Sequence, residues 1–227
     1  MAEFFAVVAA AGVGRRLGGL AKQHRLLAGR PMLAHSTAAL LADPRIRQVL
    51  VVVAAGDDQA AAALADFPAE RVAVAAVGGP SRAATVAAGL GKCPAADSDI
   101  IVVHDAARPC LHREDLARLL DAAAESADGA LLAAPVAATI KRGKDGASTA
   151  TVDRRDLWEA MTPQAAPAAL LRSVLSADSP ATDEAQALEM AGRTPRLVPA
   201  GHPNPKVTEA ADLQLAEWLL ARAAAGP

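Results

Sequence analysis

The chain has 227 residues, of which 52% are hydrophobic and only 2% aromatic, and its formal net charge is −2 at neutral pH. That is enough aliphatic material for one substantial core. The balanced charge and the lack of stacking side chains argue against nucleic acid as a partner. Cys93 and Cys110 are isolated, with no Cys-x-x-Cys spacing, so neither a disulfide framework nor a zinc knuckle is expected. No basic leader and no 18-residue apolar run occurs, so a cytoplasmic chain without membrane contact is expected.

In chain order, the apolar runs Phe4–Ala10, Gln48–Ala54, Val72–Val77, Ile100–His104, Ala130–Val136 and Arg196–Pro199 read as strands. Several are continuously apolar, the pattern of strands buried on both faces. Helical patterns fall at Pro31–Leu41, Asp57–Asp66, Arg82–Gly89, Arg113–Glu125, Pro167–Leu175, Asp183–Ala191 and Glu209–Ala223. Pro31 suits a first helical position, and Ser81, Thr182 and Thr208 suit N-caps. The alternation predicts an α/β fold with a mostly parallel sheet and helices on both faces. Residues 138–156 break the rhythm. Lys141-Arg142-Gly143-Lys144-Asp145-Gly146 followed by Ala150-Thr151-Val152-Asp153-Arg154 places a Gly-containing turn between short β-prone pieces, which predicts a hairpin arm with too little apolar surface to stand alone. The whole chain, 1–227, reads as one domain with 138–156 as its arm.

Ligands of open α/β sheets bind beyond the carboxyl ends of the strands. After the first strand comes Ala9-Ala10-Ala11-Gly12-Val13-Gly14-Arg15-Arg16, then Lys22-Gln23. Gly12 and Gly14 allow a tight turn and close backbone approach, and Arg15, Arg16 and Lys22 suit a polyphosphate. A Walker A loop is excluded, because Leu20 and Ala21 follow Gly19 where Lys and Ser/Thr are needed. A dinucleotide fingerprint also fails. Gly18 comes one residue late, and no acid lies in His35–Leu41 where the ribose ligand is needed. Later strands lead into Gly78-Gly79-Pro80-Ser81-Arg82 and His104-Asp105-Ala106-Ala107-Arg108-Pro109. Asn204-Pro205-Lys206-Val207-Thr208 comes near the C-terminus. So many cations on one sheet edge of a near-neutral chain point to a polyanionic ligand. Each also has a structural reading: a solvated Arg82, an Asp105–Arg108 ion pair, Asp105 capping the next turn, a packing role for His104. His24, His35, His112 and His202 show no metal-ligand spacing.

Together with Gly29-Arg30-Pro31-Met32-Leu33, Thr139-Ile140-Lys141, Thr151-Val152-Asp153-Arg154, Thr162-Pro163-Gln164 and Thr182-Asp183-Glu184-Ala185, these loops resemble the 2-C-methyl-D-erythritol 4-phosphate cytidylyltransferase family over nearly the whole chain. The resemblance implies a Rossmann-like nucleotidyltransferase fold and transfer of CMP from CTP to methylerythritol phosphate, without a covalent intermediate. It implies Arg16 and Lys22 as catalytic cations and Mg2+ held mainly by the CTP phosphates. It implies CTP contacts at Ala10, Ala11, Gly12, Gly14, Arg15, Gly79, Pro80, Arg82, Thr85 and Ala106. The sugar phosphate would be handled by Arg154, Lys206, Thr139, Thr162, Asp105 and Arg108. The 138–156 arm would reach across a homodimer, carrying Thr139 and Arg154 to the neighbour's site. The chain departs from the family pattern in a shortened span before Lys22, in Ala21 for the usual Pro, in His24 for an aromatic residue, and in Pro80 and Pro205. A cytidylyltransferase for another polyol phosphate, such as ribitol 5-phosphate, would share the CTP loops. A non-catalytic nucleotide-binding module is the alternative of a different class.

Overall fold

The computed structural model describes residues 2–12 and 21–225. Seven strands form the main sheet: β1 (Phe4–Ala9), β4 (Ile46–Ala54), β5 (Val72–Gly78), β6 (Ile100–Asp105), β7 (Ala130–Pro135), β10 (Trp158–Pro167) and β11 (Arg196–Pro199). Their order is β11-β7-β10-β6-β1-β4-β5. Two short strands, β2 (Leu26–Leu27) and β3 (Arg30–Pro31), make a small ribbon, and β8 (Ile140–Lys144) pairs with β9 (Ala147–Val152). The helices are α1 (Met32–Leu41), α2 (Gln59–Ala63), α3 (Arg82–Lys92), α4 (Arg113–Ala124), α5 (Ala168–Val174), α6 (Glu184–Met190) and α7 (Ala210–Ala225).

Successive side chains of a strand point to opposite faces, and β1 follows this rule in both directions. Phe4, Ala6 and Val8 pack with Leu33 and Leu40 of α1 and Leu116, Leu119 and Leu120 of α4. Phe5 and Val7 pack on the other face with Val86 and Leu90 of α3, Leu171 of α5 and Leu188 of α6. A strand covered on both faces has no polar positions to alternate, which is why its sequence is an unbroken apolar run.

β1 runs parallel to β4 and β6, β4 to β5, and β7 to β11, as the mostly parallel expectation requires. β10 is the exception. It runs antiparallel between β6 and β7, in a stretch that the sequence reading assigned to no strand. Pro163 argues against a central strand because proline cannot donate to the ladder. The structure accommodates it at an irregularity: pairing with β7 stops at Ala160 and resumes at Gln164.

Two caps differ from expectation. Asp183, not Thr182, caps α6 by accepting the Gln186 N–H at 2.8 Å. At α7, Asp212 reaches back to the N–H groups of Thr208 and Glu209 at 2.7 and 2.8 Å, and accepts from the Thr208 hydroxyl. Ser81 caps α3 as expected, accepting from the Ala84 N–H at 3.0 Å. Pro31 precedes α1 at its N-cap, one position earlier than expected.

The 138–156 segment contains the predicted hairpin. Asp145 and Gly146 at its tip both have positive φ, 51° and 79°, the backbone of a two-residue turn that matches strand twist. Its residues are largely exposed and it pairs with no strand of the main sheet.

Candidate active site

The chain runs outward from β1 through β4 to β5, then returns to the opposite side of β1 as β6. The switch point lies between β1 and β6, where open α/β sheets bind ligands. Four strand ends meet at this edge: Ala9 is level with Asp105, and Ala54 with Gly78. A cleft of about 700 Å3 opens above them, within the range of small-molecule sites.

The cleft collects most of the residues expected to bind CTP. Ala10, Ala11, Gly12, Gly79, Pro80, Arg82, Thr85 and Ala106 line it, with Lys22, Asp105 and Lys206. Gly78 admits no side chain: a Cβ there would meet the Ala11 Cβ at 2.3 Å and the Val53 carbonyl oxygen at 2.7 Å. The end of β5 therefore packs directly on the Ala11 side chain of the first glycine loop and on the β4 backbone. Thr85 supports the second loop from α3, donating its hydroxyl to the Ser81 carbonyl at 2.9 Å and accepting from the Gly79 N–H at 3.2 Å. Gly14, Arg15 and Arg16 lie outside the described residues.

Charge in the cleft is organised around Asp105. Its Oδ1 accepts from Arg82 Nε at 2.8 Å, and its Oδ2 lies 2.6 Å from Lys206 Nζ. Arg82 also grips the buried Glu184 with two parallel bonds, at 2.7 and 3.0 Å. Burial works against the charged form of Asp105, but Arg82 and Lys206 outweigh it and hold the carboxyl well below the usual carboxylate range. Burial raises the Glu184 carboxyl against the pull of Arg82. Contrary to expectation, Arg82 is thus no solvated surface arginine, and Asp105 is paired with Arg82 and Lys206 instead of Arg108. Among the described residues, the cations Lys22, Arg82 and Lys206 line the cleft with the Asp105 carboxylate, and Glu184 stands behind Arg82.

Beneath Asp105 lies a neutral hydrogen-bonded layer. His104 is fully buried, and its Nε2 lies 3.0 Å from the Arg108 carbonyl. A carbonyl only accepts, so Nε2 carries the proton and Nδ1 is the acceptor. The Thr162 hydroxyl, 3.1 Å away, donates to that Nδ1 and accepts the Asp105 N–H at 3.0 Å. Burial agrees with the neutral ring by lowering its pKa to about 4. His104 therefore has the packing and backbone-bonding role that the sequence suggested.

Thr162 and Arg108 are buried in this layer and do not line the cleft. Arg108 Nη1 donates to the Asn204 carbonyl at 2.7 Å, and Asn204 Nδ2 donates to the Thr162 carbonyl at 2.9 Å. These bonds, with the Val207 N–H donating to the Ala107 carbonyl at 2.8 Å, hold the segment that presents Lys206. Lys22 Nζ donates to the Val207 carbonyl at 3.2 Å. Thr139 and Arg154 flank the hairpin, exposed and apart from the cleft lining.

Glu184 and Asn204 are the members of this site that the sequence reading did not single out. Glu184 stands within the quoted Thr-Asp-Glu-Ala run, but its partner Arg82 is 102 positions away. His112 and His202 also meet unexpectedly, with rings stacked 3.5 Å apart beside Glu114. His112 Nδ1 accepts the Glu114 N–H as the cap of α4, and His202 faces the buried Asp115. Both imidazoles brace the start of α4, away from the cleft lining.

Comparison with known proteins agrees with this geometry. Residues 4–222 match the family model for 2-C-methyl-D-erythritol 4-phosphate cytidylyltransferase. The chain is 54% identical to the protein of that name from Bordetella petrii, over 96% of this chain and 99% of the relative. It superimposes on a crystal structure of 4-diphosphocytidyl-2C-methyl-D-erythritol synthase with a TM-score of 0.87 at 38% identity, covering 97% of this chain and 99% of the other. The cytidylyltransferase structure from Thermus thermophilus gives a TM-score of 0.78 at 28% identity, covering 97% and 100%. By sequence and by fold, the chain belongs to the 2-C-methyl-D-erythritol 4-phosphate cytidylyltransferase family.

Proposed function

We propose that this chain transfers CMP from CTP to 2-C-methyl-D-erythritol 4-phosphate, yielding 4-diphosphocytidyl-2-C-methyl-D-erythritol and pyrophosphate, in the non-mevalonate route to isoprenoids. The observation that carries the reading is the convergence of two packed glycine loops, Lys22 and the Asp105–Lys206 pair in one cleft at the switch point. A phosphate oxygen of the sugar substrate attacks the α-phosphorus of CTP in line. A new P–O bond forms, the bond to the β-phosphate bridging oxygen breaks, and pyrophosphate carries away the electron pair. The nucleophile is already an anion at neutral pH, so no strong general base is required. The barrier is electrostatic, and fixed cations aimed at the developing charge lower it.

Lys22 and Arg16 take that role, Arg16 and Arg15 coming from the loop that also supplies Gly14. The Ala10–Gly12 backbone and the Gly79–Ser81 loop read the base; Arg82 and Ala106 complete the nucleotide site. Thr85 acts by bracing that loop. Lys206 binds the sugar phosphate, with Asp105 fixing its ammonium. Arg108 and Thr162 act through the 204–207 segment and the backbone of Asp105. Magnesium supplies charge neutralisation on the triphosphate when bound. Asp105 is the acidic residue among the described cleft lining, and both its oxygens face cations, so the donor set fits a metal held by the CTP phosphates.

The hairpin arm serves a homodimer in this reading, with Thr139 and Arg154 completing the partner's sugar site. Its support is an exposed hairpin that pairs with no strand of its own sheet. A cytoplasmic setting accords with free Cys93 and Cys110 and with the finding that no helix among the described residues is long and apolar enough to cross a membrane. The deciding experiment follows pyrophosphate release with CTP across a panel of polyol phosphates. Methylerythritol phosphate is expected to give the highest kcat/KM; preference for ribitol 5-phosphate, or CTP binding without turnover of any acceptor, would overturn the reading.

A further inference from the structure

Lys22 stands on a three-residue 3-10 turn, Lys22–His24, that belongs to no strand of the main sheet. The turn closes through two short bonds: the His24 N–H donates to the Ala21 carbonyl at 3.0 Å and the Arg25 N–H to the Lys22 carbonyl at 3.1 Å. Moving any one of its residues moves the others.

One buried contact ties this turn to the sheet frame. His24 Nε2 lies 2.8 Å from each carboxylate oxygen of Asp57, and the two side chains are only 9% and 8% exposed. Gln23 Nε2 donates to the same carboxylate at 3.4 Å. Asp57 is itself fixed just beyond β4. Its N–H donates to the Ala54 carbonyl at 3.1 Å, and its Oδ1 accepts the N–H groups of Gln59 and Ala60 at 3.2 Å. Burial works against the charge on Asp57, yet His24 and Gln23 hold the carboxyl below its usual value. A hollow of about 240 Å3 beside the pair is also lined by Ala11, Gly12 and Ala21. The pair therefore lies beside the described residues on either side of the 13–20 stretch in sequence, Gly12 and Ala21.

We propose that His24 and Asp57 form a positioning pair for the reaction, fastening the Lys22 turn to the end of β4 so that the Lys22 ammonium is held at the mouth of the cleft. The pair acts through Lys22 and touches no reacting atom. The inference rests on the catalytic reading of Lys22 given above. Lys22 is a flexible cation whose value in a transition state depends on being held in place, and small misplacements of a catalytic group cost up to about 100-fold in rate.

The test is a double-mutant cycle in the full-length protein, following pyrophosphate release and thermal melting together. His24→Ala is expected to lower kcat roughly 10- to 100-fold, with KM for both substrates changed less than about threefold, because ground-state binding is left in place. His24→Gln, which retains an N–H donor toward Asp57, is expected to recover most of kcat. Lys22→Ala alone is expected to lower kcat by at least about 100-fold. In that background His24→Ala should cost less than about twofold, the non-additivity of residues that act as a unit. If Lys22→Ala stays within about tenfold of the parent, the role of Lys22 falls and the positioning pair falls with it. If Lys22→Ala is slow but His24→Ala costs the same in both backgrounds, or if His24→Ala leaves kcat unchanged, only the positioning pair is overturned.

Discussion

The charge cluster of the cleft and the hairpin arm are both assigned to substrate handling, yet they are built on opposite principles. Around Asp105, each charge is held by a counter-charge from a distant part of the same chain: Arg82 from α3, Lys206 from the C-terminal segment, and Glu184 behind Arg82. That arrangement is preorganised before any ligand arrives, which is what electrostatic catalysis requires. In the arm, Thr139 and Arg154 are exposed and the strands between them pair only with each other. Nothing in the main sheet pairs with this hairpin, so it extends from the core on its own two strands. The contrast teaches that the described charge cluster is built from one chain, whereas the arm, on the proposed reading, contributes to the sugar site only across a homodimer.

The harshest way to break the comparison is Asp105→Asn. Removing one member of a buried charge cluster strands the others, at a cost of about 3–5 kcal/mol, so melting should fall by on the order of 10 °C. A fall below about 2 °C would show that Arg82 and Lys206 do not depend on their shared carboxylate. The layer beneath supplies a pH test. His104 is neutral in the fold with a pKa of about 4, against an ordinary 6.5, so the unfolded chain binds more protons between these values. Stability must therefore fall as pH drops from 6.5 to 4, by roughly 3 kcal/mol from this group. Asp105, held below its ordinary 3.8, adds its own loss only below that value. Calorimetric melts across this range should show the slope, and His104→Gln should flatten it; an unchanged slope would assign the titration elsewhere.

The arm responds to gentler changes. Arg154→Ala should raise KM for the sugar phosphate about tenfold, the scale of one charge-assisted contact, and leave CTP binding intact. Mixing Arg154→Ala and Lys206→Ala subunits should restore one intact site per heterodimer. Exchange without regained turnover would remove the cross-subunit role. The smallest effect is expected at the tip. Gly146 has φ of 79° with open space around it, so Gly146→Ala costs about 1 kcal/mol of backbone strain within the hairpin alone. Amide exchange should quicken over 140–152 while the global melting temperature stays within about 1 °C. A larger global shift would mean that the arm is coupled to the core.

Much of this architecture is legible in the chain because it rests on local physics. Phe4–Ala9 and Ile100–Asp105 are buried on both faces, and their apolar runs announce it. Asp145-Gly146 announces the hairpin because few other pairs accept positive φ at both positions. β10 stayed hidden because Pro163 reads as a strand breaker, and only the neighbouring strands reveal the irregularity that tolerates it. Helix α2 is shorter than its alanine-rich sequence suggests, spanning Gln59–Ala63 with Ala60 and the capping Leu64 buried in the core; helix propensity is a weak prior that tertiary context overrides.

At the site the division is sharper. Which residue types gather at the strand ends is legible in the chain, since an α/β alternation carries the loops after β1, β5 and β6 to one edge and their glycines and cations travel with them. Which charge faces which is set by the packing of the folded chain. Asp105 meets Arg82 and Lys206 instead of the nearby Arg108, whose guanidinium is buried and committed to Asn204. Glu184 meets Arg82 across 102 positions, and Asp57 meets His24 across 33. The physical reason is that strand and turn preferences are set over a few neighbouring residues, whereas a buried charge finds its partner through the packing of whole elements, and sequence separation carries no record of that distance.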